Sequence, residues 1–569
     1  MEYGNASTTQ SRRFPAVRCL LTGQFVSLLL AVTAFAGPRN NPVIDRLFAQ
    51  WERSVSPGAA LVIVKNGAVV YEHGYGYASL EHRVRITPQT VFEAGSMGKQ
   101  FTGFAVAALL DQGKVSIDDD IRKYLPQVPD FGKPIRIEHL LYHTSGLRDW
   151  VATLELSGVS QQEPIDFNVI FEMVQRQREL NFPPGDEYLY CNTGYNLLAA
   201  IVAKVSGKSF HAWTEENIFR PLGMKHTAVR TNPFEVIDNL ADSYAPAGGG
   251  AFRRINSQIA TPGSGGLMIT AEDMGKWLLN FETLRIGGKA VIERMQQPGK
   301  LNNGEKVKYG FGVVPDIYQQ GATIYHFGNW AGYRSFFMWI PQKRFGFAIL
   351  ANVDDPKALP IHEILNHYVG PSPTSNAPAP SSPLKPIAGL NADPSSWNEF
   401  PGTYRLGRKS LLTITLEDNQ LKMQATGGEK CSLIPVSNHS FCTNTNGPVI
   451  EFIRQESGAV TNLIYQDIHA PKLDLSQSTP FQVVAFAGDY WSEELRSVTR
   501  LEVHAGKLAT QFRSGQWSYF LPTGPNSFDG DWATLEFTRN SASIPIELRL
   551  SEERVRNIRY TRIILPGTR

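Results

Sequence analysis

The run Pro371 to Pro383 (Pro-Ser-Pro-Thr-Ser-Asn-Ala-Pro-Ala-Pro-Ser-Ser-Pro) most limits what this chain can fold into. Each proline removes a backbone donor and clashes with a preceding helical turn, so neither a helix nor an internal strand can pass through. The segment reads as an extended, semi-rigid linker over residues 371–388. It separates a first part, 37–370, from two smaller ones, 389–480 and 481–569. Before the linker, helical periodicity alternates with strands. After it come short alternating segments such as 411–416 (Leu-Leu-Thr-Ile-Thr-Leu) and 421–424, with helical periodicity nearly absent. A length of 569 residues suits three or four domains, and 42% hydrophobic residues allow a sizeable core. A net charge of only +2 argues against a nucleic-acid partner.

The N-terminal 36 residues read as an export signal. Arg12, Arg13 and Arg18 precede an apolar run from Cys19 to Phe35, which closes on Ala34-Phe35-Ala36, a cleavage pattern of small residues. Ser11-Arg12-Arg13-Phe14 faintly suggests the twin-arginine route. The run is short for a membrane span, the alternative being a retained anchor. The mature protein is expected to be periplasmic or secreted, without a span after cleavage. In an oxidising compartment a disulfide is permitted between Cys431 and Cys442, eleven apart in a strand-rich region. Cys191 is left single and reads as a small packed residue.

In the first part, residues 41–54 predict a helix. Ala59 to Lys65 and Ala68 to Tyr77 predict strands joined by the turn Asn66-Gly67. Next comes Phe92-Glu-Ala-Gly-Ser96-Met-Gly-Lys99-Gln, a loop giving way to an Ala- and Leu-rich run that Gly113 stops. A helix starting near Ser96 puts Ser96 and Lys99 on one face, one turn apart. A buried, neutral lysine can accept or shuttle a hydroxyl proton, and a helix N-terminus favours charge on a serine oxygen. The spacing alone favours an ordinary N-cap or first-turn serine over a catalytic one, and Ser382-Pro-Leu-Lys385 repeats it inside the linker.

Three further patches follow. His143-Thr-Ser-Gly-Leu147 reads as a turn, with His143 structural. Tyr190-Cys-Asn192 precedes an apolar helix over 197–205; a tyrosine near a lysine can run as a phenolate base, and an asparagine can bind an amide. His326-Phe-Gly328-Asn329 lies among predicted strands 309–315, 322–327, 333–340 and 345–351, where Gly328 would let a ligand backbone approach. Thr270 caps a helix with Asp273 three residues on, and a last helix covers 356–369. Beyond the linker, Phe400-Pro-Gly-Thr-Tyr404 is echoed by Phe486-Ala-Gly-Asp-Tyr490 with a period of about 86, which suggests two small antiparallel barrels.

Three motifs in order, Ser96-Met-Gly-Lys99, Tyr190-Cys-Asn192 and His326-Phe-Gly328, together resemble the serine β-lactamase and penicillin-binding-protein superfamily. Supporting segments are 141–147 (Leu-Tyr-His-Thr-Ser-Gly-Leu), Pro184-Gly185, Ser264-Gly-Gly-Leu267 and Tyr309-Gly-Phe-Gly312. The resemblance covers about residues 42–369 and is nearest the branch of class C β-lactamases, D-alanyl-D-alanine carboxypeptidases, D-aminopeptidases and esterases. It implies an α+β fold: a β-lactamase-like domain, with a five-stranded antiparallel sheet flanked by helices, followed by two small lipocalin-like barrels. It implies that Ser96 is acylated while Lys99 and Tyr190 share the proton transfers. Asn192, His326, Gly328 and Asn329 would bind substrate, and the backbone N–H groups of Ser96 and Asn329 would form the oxyanion hole. No metal or other cofactor is implied. The expected partner is a small molecule or short peptide; self-association stays open.

Histidine at 326, where many relatives have lysine, weakens the charge offered to a β-lactam carboxylate. With two barrels present, this favours a peptidase on D-residues, or an amidase or esterase, over a β-lactamase. A non-catalytic receptor for cell-wall fragments and a transpeptidase are the other readings.

Overall fold

A computed structural model describes residues 41–52, 54–160, 162–318, 321–370, 397–406, 411–425, 430–443, 449–455, 458–465, 468–473, 483–511, 517–530 and 532–563. The expected export signal, with Cys19, and the linker 371–388 lie outside these residues.

The strand Ala59–Lys65 is apolar at nearly every position because both its faces are buried. Ala60, Val62 and Val64 enter one core, and Ala59, Leu61 and Ile63 enter another. It lies inside a six-stranded antiparallel sheet with the order Val314–Tyr318, Gly321–Trp330, Tyr333–Ile340, Phe345–Ala351, Ala59–Lys65, Ala68–Tyr75. The Asn66-Gly67 turn has φ of 52° and 78°, the left-handed pair that a two-residue hairpin requires. Its second strand stops at Tyr75, short of the expected Tyr77, since Gly76 turns the chain at φ 77°.

The first core is covered by the helices Lys99–Asp111 and Ala271–Thr283, the second by Pro42–Glu52 and Ile361–Tyr368. Thr270 caps its helix as expected, its Oγ1 accepting from the Asp273 N–H at 3.1 Å. The last helix is shorter than 356–369: Pro356–Ala358 forms a 3-10 turn, and the helix begins after Pro360.

The sheet has six strands where the resemblance implied five. The additional edge strand starts at Val314, later than the expected 309. Residues 309–313 are used elsewhere: Gly312, at φ 75°, packs on the first turn of the Ser96 helix, where a Cβ would stand 2.2 Å from the Lys99 carbonyl oxygen.

The expected repeat is visible in detail. Tyr404 donates its hydroxyl to the Phe400 carbonyl at 2.6 Å, and Tyr490 donates to that of Phe486 at 2.8 Å. The cations Lys472 and Arg562 stand over the two tyrosine rings at 5.7 and 5.9 Å. The second unit closes as an eight-stranded barrel from Gly488–Ser492 to Ile558–Arg562. Among the described residues the first is two sheets, of four and five strands, around one core. Its ladder breaks at Leu433: Cys431 pairs back to Met423, whereas Ile434 pairs forward to Cys442. The expected Cys431–Cys442 disulfide is absent, and both thiols are free. The break places the two cysteines in different sheets, with Cys442 buried opposite Ile434.

The second barrel docks on the first part of the chain through a buried ion pair of Arg148, 2% exposed, with Glu494, 8% exposed. Arg148 also donates to the Arg556 carbonyl at 2.9 Å, and Asn181 exchanges bonds with the Arg554 carbonyl and the Arg556 N–H. Removing one member of such a pair strands the other charge away from water. Glu494→Ala is expected to cost about 3–5 kcal/mol in urea unfolding, and the double change Arg148→Met with Glu494→Leu to recover most of it. A single-variant loss below about 1 kcal/mol would contradict this account of the interface.

Candidate active site

Ser96 sits on the 3-10 turn Gly95–Gly98, from which the helix Lys99–Asp111 continues. One turn separates the two side chains, and the Lys99 amine lies 3.0 Å from Ser96 Oγ. Lys99 is fully buried, and burial brings its pKa down to about 7 despite the nearby Asp149 carboxylate. Its nitrogen also donates to Asn192 Oδ1 at 2.7 Å and to the Ser264 carbonyl at 2.8 Å. Both of those oxygens can only accept. A neutral amine therefore spends both its hydrogens on them, and its lone pair is left facing Ser96 Oγ.

Asn192 begins the helix Asn192–Ser206, which starts earlier than the expected 197. Its amide orientation is fixed by Asp149. The Asp149 Oδ2 accepts from Asn192 Nδ2 at 2.9 Å and from its backbone N–H at 2.6 Å, which turns Oδ1 towards Lys99. Asp149 also caps the helix Trp150–Leu156, Oδ1 accepting from the Val151 N–H at 3.1 Å. A second amide hydrogen and a second lone pair on Asn192 remain for a ligand.

Tyr190 places its ring 4.9 Å from the Lys99 amine. Its hydroxyl is buried without a hydrogen bond of ordinary geometry, and burial pushes its pKa up, an effect that Ser96 partly offsets. The phenolate expected from the sequence is thus disfavoured. The pKa of the neighbouring amine is itself brought down to about 7, and burial of the Tyr190 hydroxyl penalises its charged form. Tyr190 stands here as a phenol.

His143 proves to be a structural turn residue. At φ 58° its Nδ1 accepts from the Cys191 N–H at 3.0 Å, and its ring packs tilted against Tyr190 at 4.3 Å and edge-on against Tyr309 at 4.4 Å. Cys191 is packed and inert, burial pushing its thiol up to about 12.

His326 is buried, and burial brings its pKa down to about 3. Its Nδ1 donates to the Phe327 carbonyl at 2.5 Å, which leaves Nε2 to accept from the Tyr309 hydroxyl at 2.8 Å. The ring is neutral and both nitrogens are engaged within the protein.

Gly328 departs from its expected role. It lies under the cleft floor, where a Cβ would stand 2.0 Å from the Ala94 carbonyl oxygen and 2.1 Å from Ser335 Oγ. The close approach it permits is that of the chain's own backbone. This seats the strand Gly321–Trp330 against the Ser96 turn, and a Cβ on Gly95 would be 3.0 Å from the Asn329 nitrogen. The two amides expected to form an oxyanion hole thus come from segments in contact. Ser96, Tyr190, Asn192, His326 and Asn329 all line one cleft of about 640 Å³, walled further by Trp150, Tyr188, Trp330 and Arg554.

Asp149 and Arg554 were not singled out in the sequence. Asp149 carried a weak signal, an N-cap residue before an apolar run. Arg554 carried none. Tyr309 and Ser264 appeared only inside supporting motifs.

A mixed sheet-and-helix domain with a serine and a lysine on one turn, answered by Tyr-x-Asn and His-x-Gly, is the arrangement of the serine β-lactamase and penicillin-binding-protein superfamily. The chain belongs to the family described as Beta-lactamase, whose match spans residues 44–367, more than half of its length. It is 26% identical over 423 residues to a penicillin-binding protein of Bacillus subtilis (strain 168), covering 72% of this chain and 92% of that one. It is 29% identical over 317 residues to a D-aminopeptidase of Gluconobacter oxydans (strain 621H), covering 54% of this chain and 59% of that protein. Among solved structures, the octameric penicillin-binding protein homologue from Pyrococcus abyssi has the same fold, with a TM-score of 0.53 and 24% identity, covering 75% of this chain and 98% of that one.

Proposed function

We propose that this protein is an exported serine hydrolase that cleaves small amides or esters, foremost short peptides with D-residues, through an acyl-enzyme on Ser96. The observation that carries this reading is the Lys99 amine, 3.0 Å from Ser96 Oγ with both hydrogens of its neutral form committed elsewhere. Lys99 takes the Ser96 proton as Oγ attacks the carbonyl carbon. The oxygen gains the negative charge against the Ser96 and Asn329 N–H groups, each such donor being worth about 3–4 kcal/mol. Tyr190, whose ring lies 4.9 Å from the Lys99 amine, gives its hydroxyl proton to the departing nitrogen or oxygen and is reprotonated from Lys99. Water then attacks the acyl carbonyl, its proton passing back along the same pair, and the acid leaves as Ser96 recovers its hydrogen.

A neutral His326 offers no fixed charge to a β-lactam carboxylate, so the β-lactamase reading is the weaker one. A non-catalytic receptor would not need the Lys99 geometry.

Intact-mass analysis after exposure to a fluorophosphonate tests the reading, because only an activated serine displaces fluoride from phosphorus. A single adduct, mapped by peptide sequencing to Ser96, is expected. No adduct, or one on another residue, would leave the receptor reading in its place.

A further inference from the structure

Three charged residues line the cleft besides the neutral His326: Arg334, Asp354 and Arg554. Arg334 is ion-paired with Asp354 and donates to the Tyr333 carbonyl at 2.7 Å, so these two cancel. Arg554 differs. Its backbone is fixed, the N–H donating to Glu552 at 2.6 Å and the carbonyl accepting from Asn181 at 2.9 Å and from the Asp149 N–H at 3.3 Å. Val555 next to it is fully buried and Arg556 is paired with Glu187. The Arg554 guanidinium, by contrast, makes no hydrogen bond and no ion pair with any described residue. It lies over the Tyr190 ring, 5.3 Å from the centroid. A rigid loop of the second barrel thus delivers one unspent cation to the cleft.

We propose that Arg554 is a carboxylate-binding, specificity-determining residue. The substrate class is an acyl compound whose leaving group carries a free carboxylate, such as the C-terminal residue of a short peptide. This rests on the hydrolase reading above, and the side of the cleft follows from it. Tyr190 protonates the leaving group, so a cation stacked on its ring lies on the leaving-group side. A guanidinium offers two parallel N–H groups, the geometry a carboxylate accepts best. It supplies from the barrel the charge that position 326 does not.

The test uses the full chain and two thioesters of one N-acetyl-D-alanyl group, with thioglycolate or its carboxamide as the leaving group. The wild type is expected to prefer the carboxylate by about 10- to 100-fold in kcat/KM. Arg554→Gln, which keeps much of the stem, should bring that ratio towards one, and Arg554→Lys should retain part of it. Thermal unfolding shows whether each variant is folded, and a ratio of two rates is insensitive to the fraction folded. An undiminished ratio in Arg554→Gln would overturn the proposal, as would a wild type without preference. So would a wild type that labels with fluorophosphonate yet hydrolyses neither thioester. Absence of labelling would instead bring down the hydrolase reading, and the carboxylate site with it.

Discussion

Ser96→Ala is expected to lower kcat/KM by about four to six orders of magnitude on any substrate the protein turns over. The loss should appear in kcat, with KM nearly unchanged, because the hydroxyl forms its bond to substrate only as the reaction proceeds. Alanine removes one oxygen from a half-buried position, and the Lys99 amine keeps its bonds to Asn192 and Ser264. The variant should therefore fold and bind. An inhibitor complex seen by calorimetry with the variant, alongside its lost turnover, would separate binding from chemistry. Retention of more than about one hundredth of the rate would mean that another group is acylated.

Lys99 should set the acid limb of the pH profile. Its pKa is brought down to about 7, so as pH falls through 7 the amine gains a proton and loses the lone pair that faces Ser96. Acylation, followed as kcat/KM, should fall about tenfold per pH unit below that point and level off above it. Tyr190 adds no opposing fall in the neutral range, since burial keeps its phenol protonated. Lys99→Arg and Lys99→Met should both lose about 10²–10⁴-fold, because arginine keeps the charge but cannot release its proton. If arginine restored the rate, the amine would be acting as a fixed cation. A pH-independent kcat/KM between 5 and 9 would remove the lysine from the proton path.

Much of the site was legible because its motifs are local. Ser96 and Lys99 share a turn, and Tyr190 and Asn192 share a loop, so each pair is held together by a few residues and the order of the motifs singles them out. The Asn66-Gly67 hairpin and the tyrosine repeat were legible for the same reason, each being fixed by a few neighbouring residues. What the sequence conceals depends on contacts between distant segments. Gly328 reads as a ligand-facing glycine until the Ala94 carbonyl is found where its Cβ would be. The phenolate once expected of Tyr190 gives way because the burial of its hydroxyl is a property of the folded cleft. Cys431 and Cys442 have a spacing that permits a bridge, but a break in the ladder between them sends their strands to separate sheets. Arg554 is the extreme case, since nothing near it in sequence reveals that the Asn181 and Asp149 contacts carry it to Tyr190.

Those contacts have a consequence for how the enzyme can change. The Arg554 carbonyl accepts from the Asp149 N–H, and Asp149 holds the amide that orients the lysine. A deletion that pared the chain back to its first 370 residues would leave a wall open and that aspartate's backbone to the solvent, so a trimmed enzyme should be slower as well as less selective. Point changes of side chains around 554 leave the backbone contact to Asp149 in place and act on the base only through charge, the Arg554 guanidinium helping to bring the Lys99 pKa down. A change of selectivity is therefore open to substitution of that side chain, whereas loss of the whole barrel reaches the base.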